Sequence, residues 1–523
     1  MTRRFTDSSL KRHLMVFLFY LALIFISYSN ALNGTWAMDD ILLNKPVGIN
    51  DIRGLIGFRK VTYLTFLINQ SVMPFNPAGF RVFNILLHTL NTILVYIIAH
   101  KTTIFYLSKK EETSKDLKRK GRNLSINNDK AFAVALLSGV VFGLHPININ
   151  AVTYIIQRMA CLSAFFCFLS LLSYIAAYQS KGKSKRFIFY LLCGIFIAVG
   201  ILAKENAIMA IPLIFLYDFI FLSRFDSKTF LRRVSLFLVI GIVSAITTAY
   251  FLKLHYAIID LAGFLVNPNK PLTLKGWMSV DVYWTPLQHI LTEFRIVSRY
   301  IFLVFVPLPR FFIFDWWGYP VSRDILTPIS TLLSFIFVFS LLSFSILKMK
   351  RFPLLSFAIL WYLIAVSLES FFALGSDLYF EHRNYLPVSG LFIGIIGQII
   401  HSFKNIKMEK IWIFAVILSL TLGSLTFARN LTWKDSLSLW KDTLKKAPYN
   451  IRAAKAIGNT YLRLYDLKNA EFYFVRALKG SSLMKSPLMF DESAFALGMI
   501  YLYKGELPKA KELIEKYQVT VES

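Results

Sequence analysis

The feature that most constrains this chain is a recurrence of apolar runs as long as a bilayer is thick. The first, LMVFLFYLALIFISYSNAL, fills residues 14–32. A soluble core rarely needs helices that are apolar on every side, whereas a hydrocarbon layer demands about 20 such residues per crossing. The chain has 523 residues, of which 56% are hydrophobic and 17% charged. Soluble domains run at roughly 45–50% and about a quarter, respectively. The reading is an all-α, polytopic membrane protein.

About eleven spans are expected, near 13–32, 81–106, 131–146, 160–179, 187–203, 207–223, 234–252, 329–347, 353–373, 386–403 and 411–428. The net charge of +28 would suggest a nucleic-acid partner in a soluble chain. Here the cations fall in short loops between apolar runs, such as Lys109 to Arg122, Lys181 to Arg186, Arg224 to Arg233, Lys348 to Arg351 and Lys404 to Lys410. That is a topology signal, so no nucleic-acid partner is expected. With an odd number of spans, these loops and the N-terminus lie in the cytoplasm, and the C-terminal region lies outside.

LQHILTEFRIVSRYIFLVFVPLP (287–309) resists the scheme because it carries Glu293, Arg295 and Arg299. Counting it as a span would also put LKMKR and KNIKMEK outside. It is read as a helix at the outer interface, or dipping into the protein where polar groups line a cavity. Arg3, Arg4, Lys11 and Arg12 precede the first run, but no small-residue cleavage pattern follows, so the run is read as a retained helix. Cys161, Cys167 and Cys193 lie in apolar segments without metal spacing and read as buried thiols.

From residue 430 to 523 the character changes. AAKAIGNTYLRLYDLKNAEFYFVRALK places Gly458, Tyr461, Ala470, Phe474 and Ala477 at tetratricopeptide positions, with Pro448 ahead of them. ALGMIYLYKGELPKAKELI repeats this with Gly498, Tyr501, Ala510 and Ile514. The glycines stand 40 residues apart rather than the standard 34, which points to a short insertion, SSLMKSP. Helical hairpins of this kind hide their apolar faces only by stacking, so so few of them should lean on the membrane region (1–429).

Four polar clusters fall on the external side of this scheme. Asp39 and Asp40 follow the first span, and FGLHPININAVTYIIQR supplies His145 and Arg158. ILAKENA supplies Lys204 and Glu205, and SDLYFEHRNYLP supplies Asp377, Glu381, His382, Arg383 and Tyr385. Arg59 and Tyr63 sit in FRKVTYLTFLINQ, an amphipathic segment suited to an interface helix. A carboxylate within hydrogen-bond reach can take the proton of an attacking hydroxyl. Arg and Lys can hold a leaving phosphate, as a bidentate fork and a point charge respectively. Residue types alone leave phosphatase, ligase or transport chemistry open.

The clusters, in this order, resemble the transmembrane and tetratricopeptide repeat-containing O-mannosyltransferases of the GT-C glycosyltransferase superfamily. MDD, FRKVTYLTFLINQSVMPFNPAGFRVFNILLHTLNTILVY, GVVFGLHPININAVTYIIQRMACLSAFF, AKENAIMAIPLIFLYD and EHRNYLP carry the resemblance. It implies an inverting transferase that moves mannose or another hexose from a polyprenyl-phosphate carrier to Ser or Thr of exported proteins. The base maps to Asp39, with Asp40 beside it as a second catalytic candidate. Arg158, His145, Lys204, Glu205, Glu381, His382, Arg383, Tyr385 and Arg59 are the substrate-site candidates. No cofactor is implied beyond the lipid-linked sugar, although some members of the superfamily use a metal and the Asp pair would be the place for one. The sequence departs from the family in reading EHRNYLP where a Glu-Arg pair more often precedes YLP, and in its short repeat region.

A multi-pass protein of the inner (plasma) membrane is expected, with periplasmic repeats that either recruit an acceptor protein or dock a partner. The few cysteines and the Lys/Asn/Ile-rich composition lean towards a bacterium. Two enzyme-class and non-enzyme rivals stand beside this reading: a glycan ligase or polymerase using a lipid-linked oligosaccharide, and a membrane anchor whose repeats assemble a surface complex. A transporter should show mid-span polar residues, and the polar groups here lie mainly at span ends.

Overall fold

The computed structural model describes residues 7–45, 59–111, 117–235, 284–372, 377–403, 405–484 and 487–522. Its regular elements among these residues are all helical. Eight helices are long and apolar enough to cross a membrane: Lys11–Asn33, Pro77–Ser108, Ile155–Gln179, Lys183–Ala203, Glu205–Leu222, Ile329–Leu347, Pro353–Phe372 and Met408–Trp433. A ninth is the bent pair Asn127–Leu144 and Pro146–Val152, which meet at 50°. Pro146 explains the break, since it lacks an N–H and starts a helix better than it continues one.

Eight or nine of the roughly eleven expected spans thus qualify among the described residues. The helix expected near 386–403 is present as Pro387–Ser402 but is short. The span expected at 234–252 lies, except for its first two residues, outside the described residues.

The ambiguous 287–309 stretch forms one helix, Pro286–Phe305. It starts at a capping box in which Thr285 Oγ1 accepts from the Gln288 amide and the Gln288 side chain accepts from the Thr285 amide. Its polar residues His289, Thr292 and Glu293 are buried against the protein. Polar side chains turned inward fit an element that faces a site rather than lipid.

Beyond Trp433 come five helices, Ser436–Lys446, Ile451–Arg463, Leu467–Met484, Pro487–Tyr503 and Leu507–Glu522. Asp435 and Asn450 cap the first two by accepting from the Ser438 and Ala453 amides. Gly458 is small because the Phe474 ring lies against it, and a Cβ there would stand 3.1 Å from that ring. Each of these helices packs on the next.

The core is divided in an informative way. Leu439, Trp440, Leu444, Ile451, Ala454 and Ile457 belong to the same apolar cluster as the spans. Ala470, Phe474, Leu497, Ile500, Tyr501 and Ala510 form a second one. The first repeat helix is built into the membrane region, and only the following hairpins stand on a core of their own.

Candidate active site

The first span, Lys11–Asn33, is followed by a 3-10 segment, Met38–Asn44, that separates the two carboxylates. Met38 has φ 46, in the left-handed region that a side chain makes unfavourable, so this turn is held by its surroundings. The holding groups are at hand. Buried Arg81 donates to the Gly34, Thr35 and Thr153 carbonyls and pins the chain just ahead of the turn.

Asp40 points inward and is fully buried. Its carboxylate accepts from the amides of Ile156 at 2.8 Å, Ile155 at 3.3 Å and Ala37 at 3.4 Å. Burial pushes its pKa up to about 7, against the pull of these amides and of Arg81. Asp40 is therefore no second base: its oxygens are spent on joining the Met38–Asn44 turn to the Ile155–Gln157 turn.

Asp39 points outward and is exposed. Tyr154 Oη donates to its Oδ2 at 3.1 Å and accepts from its amide at 3.3 Å, so one hydroxyl fixes both ends of the residue. The Tyr154 ring is packed by Phe314 and Trp433, with centroids 5.3 and 5.9 Å away. The result is an accessible carboxylate on a rigid mount.

The cationic cluster lies among turns that join other helices. Lys204, at the break between two spans, is buried and pairs with Glu369 at 2.5 Å. Arg59 pairs with Glu205 at 3.1 Å at the exposed edge. Arg383 donates to the Leu378 and Asp377 carbonyls at 2.6 and 2.7 Å and stands 3.5 Å from Glu293.

His382 is buried between them, with Nδ1 lacking a hydrogen-bond partner among the described residues. Burial and the charges of Lys204, Arg383 and Arg59 drive its pKa well down, so it stands as a neutral imidazole. Tyr63 connects the two halves: burial raises its pKa, and it feels both the Arg59 cation and the Asp39 carboxylate. A basic recess with a buried, unpartnered imidazole suits an anionic group, and the open carboxylate suits a proton.

Three expected site residues are placed elsewhere. Arg158 is fully buried, and its guanidinium is consumed by Asn84, Asn69, Thr65 and the Phe80 carbonyl, with the Phe66 and Phe83 rings against it. It has nothing left for a phosphate and serves to bind three helices together. His145 Nδ1 accepts from the Ile147 amide and its Nε2 bonds the Val304 carbonyl, so it caps the turn at Pro146. Tyr385 is buried with its hydroxyl on His88 and Asn91.

Glu381 sits close to the cluster, but its Oε1 accepts from the Ile313 amide at 2.6 Å and from Tyr379 Oη at 3.1 Å. It anchors a loop that sequence reasoning overlooked. That loop, 309–319, carries Phe314 against Tyr154 and Trp440, and Asp315 against the repeats. Its only signal is the aromatic density of RFFIFDWWGY. Among the described residues no group of three or more His, Cys, Asp or Glu is arranged to hold a metal ion.

The repeats add two features. Arg452, on the Ile451–Arg463 helix, pairs with Asp315 at 3.0 Å and Asp377 at 2.9 Å. Further along that helix an open groove of about 990 Å³ is lined by Lys455, Asn459, Leu462, Phe495, Met499 and Tyr503.

No family model and no solved structure matches the chain. Among curated proteins it is similar to the protein O-mannosyl-transferase F38B6.6 of Caenorhabditis elegans, 24% identical over 493 residues, covering 88% of this chain and 62% of that protein. It is similar to human protein O-mannosyl-transferase TMTC4 at 32% over 181 residues, 34% of this chain and 23% of the relative. Human protein O-mannosyl-transferase TMTC3 is 21% identical over 445 residues, 80% of this chain and 44% of the relative. The chain thus spans less than two thirds of the length of each of these relatives, and the resemblance drawn from MDD through EHRNYLP is borne out at the level of homology.

Proposed function

We propose that this chain, whose homologues carry the name protein O-mannosyl-transferase, is itself a membrane glycosyltransferase acting on proteins. It moves mannose or another hexose from a polyprenyl-phosphate carrier to a Ser or Thr hydroxyl. The observation that carries the reading is the pairing of an exposed, Tyr154-mounted Asp39 with a recess of Lys204, Arg383 and Arg59 around an unpartnered His382.

In the step proposed, the acceptor oxygen bonds to the anomeric carbon while the bond from that carbon to the phosphate oxygen breaks. The acceptor proton goes to Asp39 and the electron pair leaves with the polyprenyl phosphate. Attack opposite the leaving group inverts the anomeric centre. Lys204 and Arg383 stabilise charge as it builds on the departing phosphate, and neutral His382 donates a hydrogen bond to it. Glu369 and Glu293 neutralise the two cations until the phosphate arrives.

The external turns face the periplasm or its equivalent, the carrier enters laterally from the outer leaflet, and the Lys60–Val72 helix borders that entrance. Its exposed Leu64, Ile68 and Val72 lie on one face at four-residue spacing, and its Thr62, Phe66 and Asn69 are buried. The groove on the repeats holds an extended acceptor segment.

The test uses the full chain reconstituted in liposomes with a short-chain polyprenyl-phosphate mannose and a Ser/Thr peptide. The expected result is a mannosylated peptide of inverted anomeric configuration, formed by the native chain and not by Asp39→Asn. Equal transfer by Asp39→Asn, or retained configuration, would overturn the mechanism.

A further inference from the structure

Arg452 belongs to the first repeat helix, yet its partners belong to the site. Its guanidinium forks between Asp315 Oδ1 at 3.0 Å and Asp377 Oδ1 at 2.9 Å, two residues more than sixty positions apart in the chain. From Asp377 the path is short: the Asp377 carbonyl accepts from Arg383 at 2.7 Å. From Asp315 it runs through the neighbouring Phe314 to the Tyr154 ring, and so to Asp39.

The same loop is gripped at two further points. Asn450 Nδ2 donates to the Asp315 carbonyl at 2.8 Å, and Lys446 Nζ donates to the Pro309 and Phe312 carbonyls at 3.0 and 2.9 Å. Burial works against the Arg452 cation, and Asp315, Asp377 and Asp39 outweigh it, so its pKa is raised. Arg452 is also three residues from Lys455, which places it at the end of the stripe of Lys455, Asn459 and Leu462 that lines the repeat groove.

We infer that Arg452 is a positioning residue of the transferase site, holding the Asp39 mount and the Arg383 loop in register from the repeat side, at the point where the acceptor groove meets the chemistry. The inference rests on the proposed transferase reading. It makes the first repeat helix a working part of the site and leaves recruitment to the groove beyond it. Lys at this position carries the charge but lacks the fork, so it holds one carboxylate at a time.

The experiment compares the native chain with Arg452→Ala, Arg452→Lys, Asp377→Asn and the Arg452→Ala/Asp377→Asn pair, in the liposome assay and by amide hydrogen exchange. Phe495→Ala, in the groove, is the recruitment control. Arg452→Ala should lower kcat at least tenfold with the peptide KM within about twofold, and Arg452→Lys should restore part of it. The double variant should lose little more than Arg452→Ala alone, whereas Phe495→Ala should raise KM and spare kcat.

Exchange gives a readout independent of turnover. In Arg452→Ala the Ile313 amide, bonded to Glu381, and the Asp40 amide, bonded to Ala37, should exchange at least tenfold faster. An effect confined to the 451–463 helix, or a rise in KM with unchanged kcat, would overturn the inference. Asp39→Asn run alongside separates the two claims: its full activity would remove the transferase mechanism, while exchange at Ile313 and Asp40 would still decide the role of Arg452.

Discussion

At the scale of single residues, the two adjacent aspartates divide the labour of the turn that follows the first span. Asp39 keeps an open carboxylate on the Tyr154 hydroxyl, and Asp40 spends its own on three amides. A general base typically contributes about 10²–10⁴-fold, so Asp39→Asn should lower kcat by that order with the donor KM little changed. Tyr154→Phe keeps the ring between Phe314 and Trp433 but frees Asp39, and kcat should fall by about tenfold in the same assay.

Asp40 gives a stability prediction instead. Its folded pKa of about 7 lies above that of an ordinary carboxyl, so the folded chain keeps a proton that the unfolded chain has lost. Its contribution is then most favourable below about pH 4 and is lost as pH rises to about 7. Thermal melting in detergent should show that fall, and Asp40→Asn should flatten it. Asp40→Ala leaves the Ile155 and Ile156 amides unpaired, at a cost of about 1–3 kcal/mol.

The sequence carried the adjacency of these carboxylates but not their orientation, because a left-handed turn at Met38 decides which one faces out. Arg158 illustrates the same limit. An arginine at the end of an apolar span reads as a ligand, and only the packing reveals Asn69 and Asn84 waiting for it.

At the scale of elements, the 309–319 loop is the keystone. It accepts Lys446 and Asn450 from the repeat side, gives the Ile313 amide to Glu381, and sets Phe314 among Tyr154, Trp433 and Trp440. Phe314→Ala should cost about 3–5 kcal/mol as a buried aromatic, measured by thermal melting, and should depress transfer beyond what its melting shift explains. Apolar length made the spans legible; the structure adds that the Pro286, Pro353 and Pro387 helices each open on a proline, where a missing N–H costs nothing. The loop was not legible, since it has no period and its partners lie far along the chain, 68 residues away at Glu381 and 135 at Asn450. The Pro286–Phe305 helix was half legible: its charges argued against a lipid-facing span, but the burial of Glu293 beside Arg383 needed the fold.

At the scale of the whole molecule, one core joins the spans to the first repeat helix, so the boundary that composition suggests near residue 430 is not where the packing divides. Composition changes near residue 430, and packing continues past that point through Trp433, Trp440 and Ile451.

The topology predicts that the repeats and the basic loops lie on opposite sides. The native cysteines are buried, so single cysteines report cleanly. Lys468→Cys should react with an impermeant maleimide on intact cells, and Lys183→Cys only after permeabilisation; the reverse pattern would invert the orientation.

The central claim is that Asp39 drives glycosyl transfer to proteins, and glycoproteomics of exported proteins tests it most directly. A deletion strain would be complemented with the native gene or with Asp39→Asn at equal membrane abundance. The account predicts a hexose on Ser or Thr that disappears in the deletion, returns with the native chain and stays absent with Asp39→Asn. Restoration of that hexose by Asp39→Asn would contradict it.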